Sequence, residues 1–75
     1  MNKNEFISAL QNNGINSNLV CFNDYIKDDV FCVIESYGKI EIFYRERGKE
    51  FFKREFEVLS DALNYLLGVM TGKII

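Results

Sequence analysis

Histidine and proline are absent from this 75-residue chain, and cysteine occurs only twice. Without histidine the chain lacks the commonest general base of enzymes, and a zinc site of mixed cysteine and histidine ligands cannot be built. The glycines are too far apart for a phosphate-binding loop, and Asp24, Asp28 and Asp29 do not have the spacing of an EF-hand. The sequence therefore predicts a protein that is not an enzyme, with no catalytic residues, no metal and no cofactor.

The two cysteines and the apolar runs indicate where the protein works. Cys21 and Cys32 each lie within a short apolar run, so we expect two buried, reduced thiols in a cytoplasmic protein. No apolar run approaches the roughly 20 residues that a membrane span requires. Residues 2–5 lead directly into a helical pattern, so we expect no signal peptide and no membrane partner.

Charge is spread unevenly over the chain. Residues 1–38 hold two basic and five acidic residues, a net charge of −3, whereas residues 39–75 hold seven basic and six acidic residues, a net charge of +1. The basic residues from Arg45 to Arg54 are interrupted by Glu46 and Glu50, unlike the basic stripe of nucleic-acid-binding proteins. We therefore expect no nucleic-acid partner, and the acidic half is compatible with a basic protein partner.

Two segments have the periodicity of amphipathic helices. In the first, from Asn2 to Asn13, Asn2 and Glu5 have the spacing of a capping box, and Gly14 stands where a left-handed residue ends a helix. The second repeats apolar residues along one helical face that we expect to enter the core, namely Leu59, Ala62, Leu63, Leu66, Leu67 and Met70.

Four segments between the helices are predicted strands, at residues 19–22, 30–35, 40–44 and 50–56. The second of them is apolar on both faces, which is typical of a central strand. Tight turns at Tyr37-Gly38-Lys39 and Arg47-Gly48-Lys49 separate the last three predicted strands, and residues 23–29 are predicted to form an acidic loop. Along the fourth strand, simple alternation places Phe51, Lys53 and Glu55 on one face.

The order α-β-β-β-β-α predicts a single α+β domain over residues 1–75. Short connections favour a four-stranded antiparallel meander, and both amphipathic helices can pack on one face of that sheet. The opposite face then meets solvent or a partner. The candidate residues for that open face are Tyr25, Phe31, Phe43, Phe51, Lys53 and Glu55.

Two regions are candidate partner-binding surfaces. In the acidic loop, Asp24, Asp28 and Asp29 would steer a basic partner and Tyr25 would anchor it; the alternative is a solvated connection that touches nothing. On the sheet, the candidates are Phe43 and Phe51. Tyr25 and Tyr44 are interpreted either as binding anchors or as half-buried aromatic residues of the sheet.

Three motifs along the chain resemble a known family. They are Asn13-Gly14-Ile15 after the first helix, GKIEIFYRERG at residues 38–48, and Phe56 followed by ALNYLL at residues 62–67. Together they resemble small bacterial immunity proteins that are encoded beside polymorphic toxins, the immunity protein 59 type. The chain departs from that pattern at Ile40, where the family favours tryptophan, and at Val58-Leu59, where it favours a Ser-Glu helix start.

The resemblance implies a protein that binds a cognate toxin domain and covers or distorts its active site. The implied partner is the C-terminal domain of that toxin, and the acidic charge suits a basic nuclease. Glu46 and Arg47 are then candidate toxin contacts; the structural alternative is that they brace a turn in which Gly48 has positive φ. A second hypothesis, from another class of function, is a structural or regulatory domain that forms homo-oligomers, for example dimers. Copies of the chain would then bind one another through the exposed sheet face.

Overall fold

A computed structural model of the protein describes residues 1–24 and 27–73. The chain forms an α+β fold with a four-stranded sheet, which confirms the predicted class and element order. No helix within the described residues is long and apolar enough to cross a membrane. The elements are α1 (Lys3–Asn12), a 3-10 turn (Ser17–Leu19), β1 (Val20–Phe22), β2 (Val30–Ser36), β3 (Lys39–Glu46), β4 (Lys49–Phe56) and α2 (Leu59–Met70).

Both ends of α1 form as predicted. The side chain of Asn2 accepts a hydrogen bond from the backbone N–H of Glu5 at 2.8 Å, and Glu5 Oε1 accepts one from the N–H of Asn2 at 3.0 Å. At the other end, Gly14 has φ of +71°, and Ile15 N–H donates to the carbonyl of Leu10 at 2.9 Å. These are the contacts of a capping box and a Schellman motif, which satisfy backbone groups that a helix end leaves unpaired.

Two tight hairpins join β2, β3 and β4. Tyr37 and Gly38 have φ of +52° and +75°, and Arg47 and Gly48 have φ of +51° and +76°. Positive φ at both central residues is the backbone of the type I′ turn, whose twist matches that of the paired strands. The predicted turns are thus confirmed, and they make β2–β3 and β3–β4 antiparallel pairs.

The prediction of a wholly antiparallel meander is wrong at one edge of the sheet. β1 pairs in parallel with β2, and Cys21 lies opposite Cys32. A parallel pair requires the chain to return to the starting end of the first strand, which usually takes a long crossover. Here β1 has three residues and spans about 10 Å. A connection of seven residues, 23–29, can reach roughly 23 Å, which is enough to return along a strand this short.

Both helices pack on the same face of the sheet, as predicted. Leu63 and Leu66 of α2 are fully buried against this face, and Leu67 is half-buried beside them. α1 contributes two fully buried side chains to the same cluster. The buried residues of this main core are Phe6, Leu10, Val20, Val33, Ile40, Ile42, Ala62, Leu63 and Leu66.

The opposite face of the sheet carries a second buried cluster of Cys21, Val30, Cys32, Ile34 and Phe43. Phe43 lies on this face, as predicted, but it is only 2% exposed, so it is not open to solvent as that prediction implied. Lys53 of β4 lies over this residue, with its ammonium group 5.9 Å from the ring centroid of Phe43. Ion pairs at 2.7 Å to Glu41 and 3.4 Å to Glu50 hold that lysine in place.

The cysteines are free and buried, as predicted. Burial, together with the neighbouring thiol of Cys21, raises the pKa of the Cys32 thiol to about 12. The thiolate is the reactive form of cysteine. We therefore expect iodoacetamide at pH 8 to leave Cys32 unmodified in the folded protein and to modify it fully in guanidinium chloride, as read by mass spectrometry.

The same raised pKa predicts a dependence of stability on pH. Between about pH 9 and pH 12 the folded chain keeps a proton on Cys32 that the unfolded chain loses, so stability falls as pH rises through this window. Below about pH 9 this thiol adds no pH dependence. A Cys32→Val variant is expected to show a shallower fall of the urea midpoint across the window. Equal slopes in the two proteins would contradict the assignment to Cys32.

Candidate functional site

One irregularity in β4 decides which of its side chains face α2. Tyr44 lies opposite Phe51 and Ile42 lies opposite Arg54, so two steps along β3 match three steps along β4. This is a β-bulge, and Phe52 within it has φ of +60°. Because directly opposed residues point to the same face of a sheet, Phe51 and Arg54 share the helix-facing side of Tyr44 and Ile42.

Because of the bulge, the predicted assignment of β4 side chains to the two sheet faces is wrong. Simple alternation placed Phe51 with Lys53 and Glu55, but Lys53 forms its ion pair with Glu41 on the face opposite to α2. Phe51 is 41% exposed and lies opposite Tyr44 instead. Phe31 is also on the helix-facing side, where it packs against the main core. The two phenylalanines therefore do not lie on the sheet face that was predicted for them.

The helices leave an apolar groove open on their side of the sheet. Its volume is about 510 Å³. Val33 and Ile40 are covered, but Phe31 and Tyr44 are only half-buried, and their rings pack edge to face with centroids 5.0 Å apart. Phe52 is 82% exposed and lines the same groove. The other lining side chains include Ile42 of β3 and Tyr65, Leu66 and Val69 of α2.

A cation, Arg54, lies beside this groove. The guanidinium carbon of Arg54 lies 4.8 Å from the ring centroid of Tyr65 and 6.0 Å from that of Phe56. The two rings are themselves in contact, with centroids 5.4 Å apart. Stacking on aromatic faces favours the planar guanidinium and limits its rotamers. Arg54 therefore presents a positive charge at a defined place next to Tyr65, a residue of the groove.

The structure brings the acidic loop to the second hairpin turn. Asp28 Oδ1 accepts a hydrogen bond from the backbone N–H of Gly48 at 3.1 Å and lies 3.3 Å from Nε of Arg45. Next to it, Asp29 has φ of +60°, and its N–H donates to the carbonyl of Arg45 at 2.7 Å. The side chain that braces the Arg47-Gly48 turn is thus Asp28, twenty residues earlier in the sequence.

The remaining predicted site residues lie in different surroundings. Glu46 and Arg47 are exposed on the same braced turn, Asp24 is half-buried and Asp29 is exposed. Tyr25, the predicted anchor of the acidic loop, lies outside the described residues. The structure therefore joins two of the predicted regions, the acidic loop and the second turn, into one end of the molecule.

The groove was not among the predicted sites. Its residues come from β2, β3, β4 and α2, so no local pattern marks them as a group. One signal was present in the sequence, since Phe51 and Phe52 are adjacent aromatic residues that interrupt the alternation of β4. Such an interruption is compatible with a bulge, but alternation alone cannot locate it.

The bracing role of Asp28 can be measured directly. Its side chain is 49% exposed, so solvent screening reduces the value of the ion pair. We expect Asp28→Ala to lower the free energy of unfolding by about 1 kcal/mol, because the Gly48 N–H loses its acceptor. Asp28→Asn retains an acceptor without the charge and serves as the matched control, with a smaller loss. If Asp28→Ala unfolds at the parent's urea midpoint, the brace contributes nothing to stability.

Comparisons with protein-family models, with curated proteins and with solved structures found no match to this chain. Within residues 1–24 and 27–73, no three cysteine or carboxylate side chains are grouped as metal ligands. The features that the structure does provide are an aromatic groove with an exposed phenylalanine, a stacked arginine beside it, and a braced turn at the same end of β3 and β4.

Proposed function

We propose that this chain is a bacterial immunity protein that binds and neutralises the C-terminal domain of a cognate toxin. It acts in the cytoplasm and carries out no catalysis of its own. The observation that carries the proposal is the exposed Phe52 beside an open aromatic groove. Aromatic side chains of this kind are the anchors that dominate the energy of protein interfaces, and exposed apolar patches on small domains mark interaction sites.

The motif resemblance supports a toxin as the partner. Its most specific part, Glu46-Arg47-Gly48, forms the braced turn between β3 and β4. The next residues along β4 lead to Phe51 and Phe52, so the turn and the groove form a continuous surface. Binding on rigid hairpins requires little ordering of the free protein, which favours tight association.

The acidic loop has a separate role in this proposal. Asp24, Asp28 and Asp29 lie in the half of the chain whose net charge is −3, and they would speed the approach of a basic toxin such as a nuclease. Because Asp28 also braces the turn, Asp29→Lys is the cleaner variant for measuring this effect. Its association rate with the toxin is expected to be lower than that of the parent at low salt and to converge with it at high salt.

The experiment that tests the function is co-expression of this chain with the C-terminal domain of the protein encoded immediately upstream, which the proposal expects to be a large secreted toxin. Induction of that domain in a bacterial host is expected to stop growth, and the chain is expected to restore it. The two purified proteins should also elute as one complex in size-exclusion chromatography. A toxic domain that kills cells containing the folded chain, and that forms no complex with it, would refute the proposal.

A second candidate function, a homodimeric interaction domain, is favoured by one observation. Phe52 and the groove adjoin on a single surface, so two copies related by a twofold axis could each offer Phe52 to the other's groove. Sedimentation equilibrium distinguishes this function from the first. A dimer that Phe52→Ser converts to monomer supports it, and a monomer at concentrations well above those in cells excludes it.

A further inference from the structure

We propose that the groove recognises an apolar side chain with a carboxylate beside it. The partner segment that binds here would therefore carry a hydrophobic or aromatic residue next to an aspartate or glutamate. This inference rests on the proposed function for the identity of the partner as a toxin. The chemistry of recognition rests only on the groove and on Arg54.

The groove provides the apolar half of the site. Its volume of about 510 Å³ lies within the roughly 300–1,000 Å³ of pockets that bind small ligands. Phe31 and Tyr44 form its base with edge-to-face rings, whereas Tyr65 and Val69 come from α2. Aromatic rings held on strands and a helix lose little freedom when an apolar group enters, so an inserted side chain gains burial at low entropic cost.

Arg54 provides the charged half. Its guanidinium stacks on Tyr65, and it forms no ion pair with any residue of the described segments 1–24 and 27–73. Three other cations on the same two strands, Lys39, Arg45 and Lys53, are each paired with a carboxylate. A guanidinium fixed by stacking presents its N–H groups in the geometry that binds a carboxylate with two hydrogen bonds.

Charge complementarity thus selects an acidic segment for the position beside Tyr65. A basic segment would be repelled by Arg54. The acidic segment can belong to a toxin that is basic as a whole, since Asp28 lies with Arg45 on the other face of the sheet, away from Arg54.

Titration of the ¹⁵N-labelled protein with three small probes tests the inference. Indole-3-acetate has a ring and a carboxylate, tryptamine has the same ring with a positive charge, and acetate has the carboxylate alone. We expect indole-3-acetate to shift the amide signals of Phe52, Tyr65 and Val69. Its dissociation constant should be at least about tenfold lower than that of tryptamine, as a charged hydrogen bond predicts. It should also be at least about tenfold lower than that of acetate, which has no ring to bury in the groove.

Two variants assign the preference to Arg54. In Arg54→Gln, the ratio of the dissociation constant of tryptamine to that of indole-3-acetate is expected to fall at least about tenfold. The ring is still expected to bind in the groove. Lys39→Gln removes a cation that is paired with Glu55 and is expected to leave the preference unchanged. The ¹⁵N spectrum of each variant shows directly that it is folded.

Equal shifts with indole-3-acetate and tryptamine, or shifts confined to other parts of the chain, would overturn the inference. This comparison uses the parent protein alone and does not depend on the stability of any variant. It is also independent of the proposed function. Protection from the toxin together with a failed titration refutes only the recognition chemistry, whereas the expected titration without protection refutes only the toxin partner.

Discussion

Replacing Leu66 with alanine is expected to lower the free energy of unfolding by about 2–5 kcal/mol. Leu66 is fully buried in the main core, where α2 meets the sheet. The truncation removes apolar contacts and leaves a cavity that the neighbouring strands cannot fill. Small domains have total stabilities of about 5–15 kcal/mol, so this single change would remove a large part of the available stability.

Urea unfolding followed by circular dichroism measures the effect. Leu67→Ala is the matched control, because Leu67 is the next residue of the same helix and is only half-buried. Its loss should be clearly smaller. If the two variants lose the same stability, or Leu66→Ala melts like the parent, then the face of α2 that carries Leu66 is not the buried one.

The second large effect is expected from Phe52→Gly, and it concerns binding rather than folding. Removing an exposed aromatic anchor from an interface typically weakens binding by 2 kcal/mol or more, which is roughly 30-fold in the dissociation constant. The fold should tolerate the change. Phe52 is mostly exposed and has φ of +60°, a conformation that costs a non-glycine residue about 1–2 kcal/mol. Relief of this strain offsets the greater chain entropy of glycine.

We therefore expect the free energy of unfolding of Phe52→Gly to stay within about 1 kcal/mol of the parent. The matched control is Tyr37→Gly, since Tyr37 is fully exposed and also has positive φ, but lies in the first hairpin turn at the other end of β3. Calorimetric titration with the toxin domain should show weaker binding for Phe52→Gly only. Unchanged affinity in that variant would place the interface elsewhere on the surface.

The strain at Phe52 is itself informative about this surface. A left-handed phenylalanine that is exposed to solvent contributes little burial to the fold, yet it carries a conformational cost. Residues in unfavourable backbone regions are concentrated at functional sites. The position of Phe52 beside the groove is consistent with a role in binding. If Phe52→Gly keeps the stability of the parent but binds more weakly, that role is distinguished from a structural one.

Local features were predictable from the sequence because neighbouring residues produce them. The capping box of Asn2 and Glu5, the left-handed Gly14 and the two glycine-containing turns each depend on contacts within a few residues. The buried face of α2 follows from helical periodicity, since side chains three and four residues apart share a face. Free cysteines and a doubly buried β2 followed from apolar runs in the same way.

Only the tertiary structure decided how these pieces face one another. The direction of β1 depends on whether residues 23–29 can return along the sheet, and the short length of β1 permits it. The bulge at Phe52 moves Phe51 to the helix-facing side, which no count of alternating residues can detect. Lys53 from a neighbouring strand lies over Phe43, and Asp28 reaches Gly48 twenty residues away. Pairing register and long-range contacts therefore determined the candidate site, whereas local chemistry determined the elements that carry it.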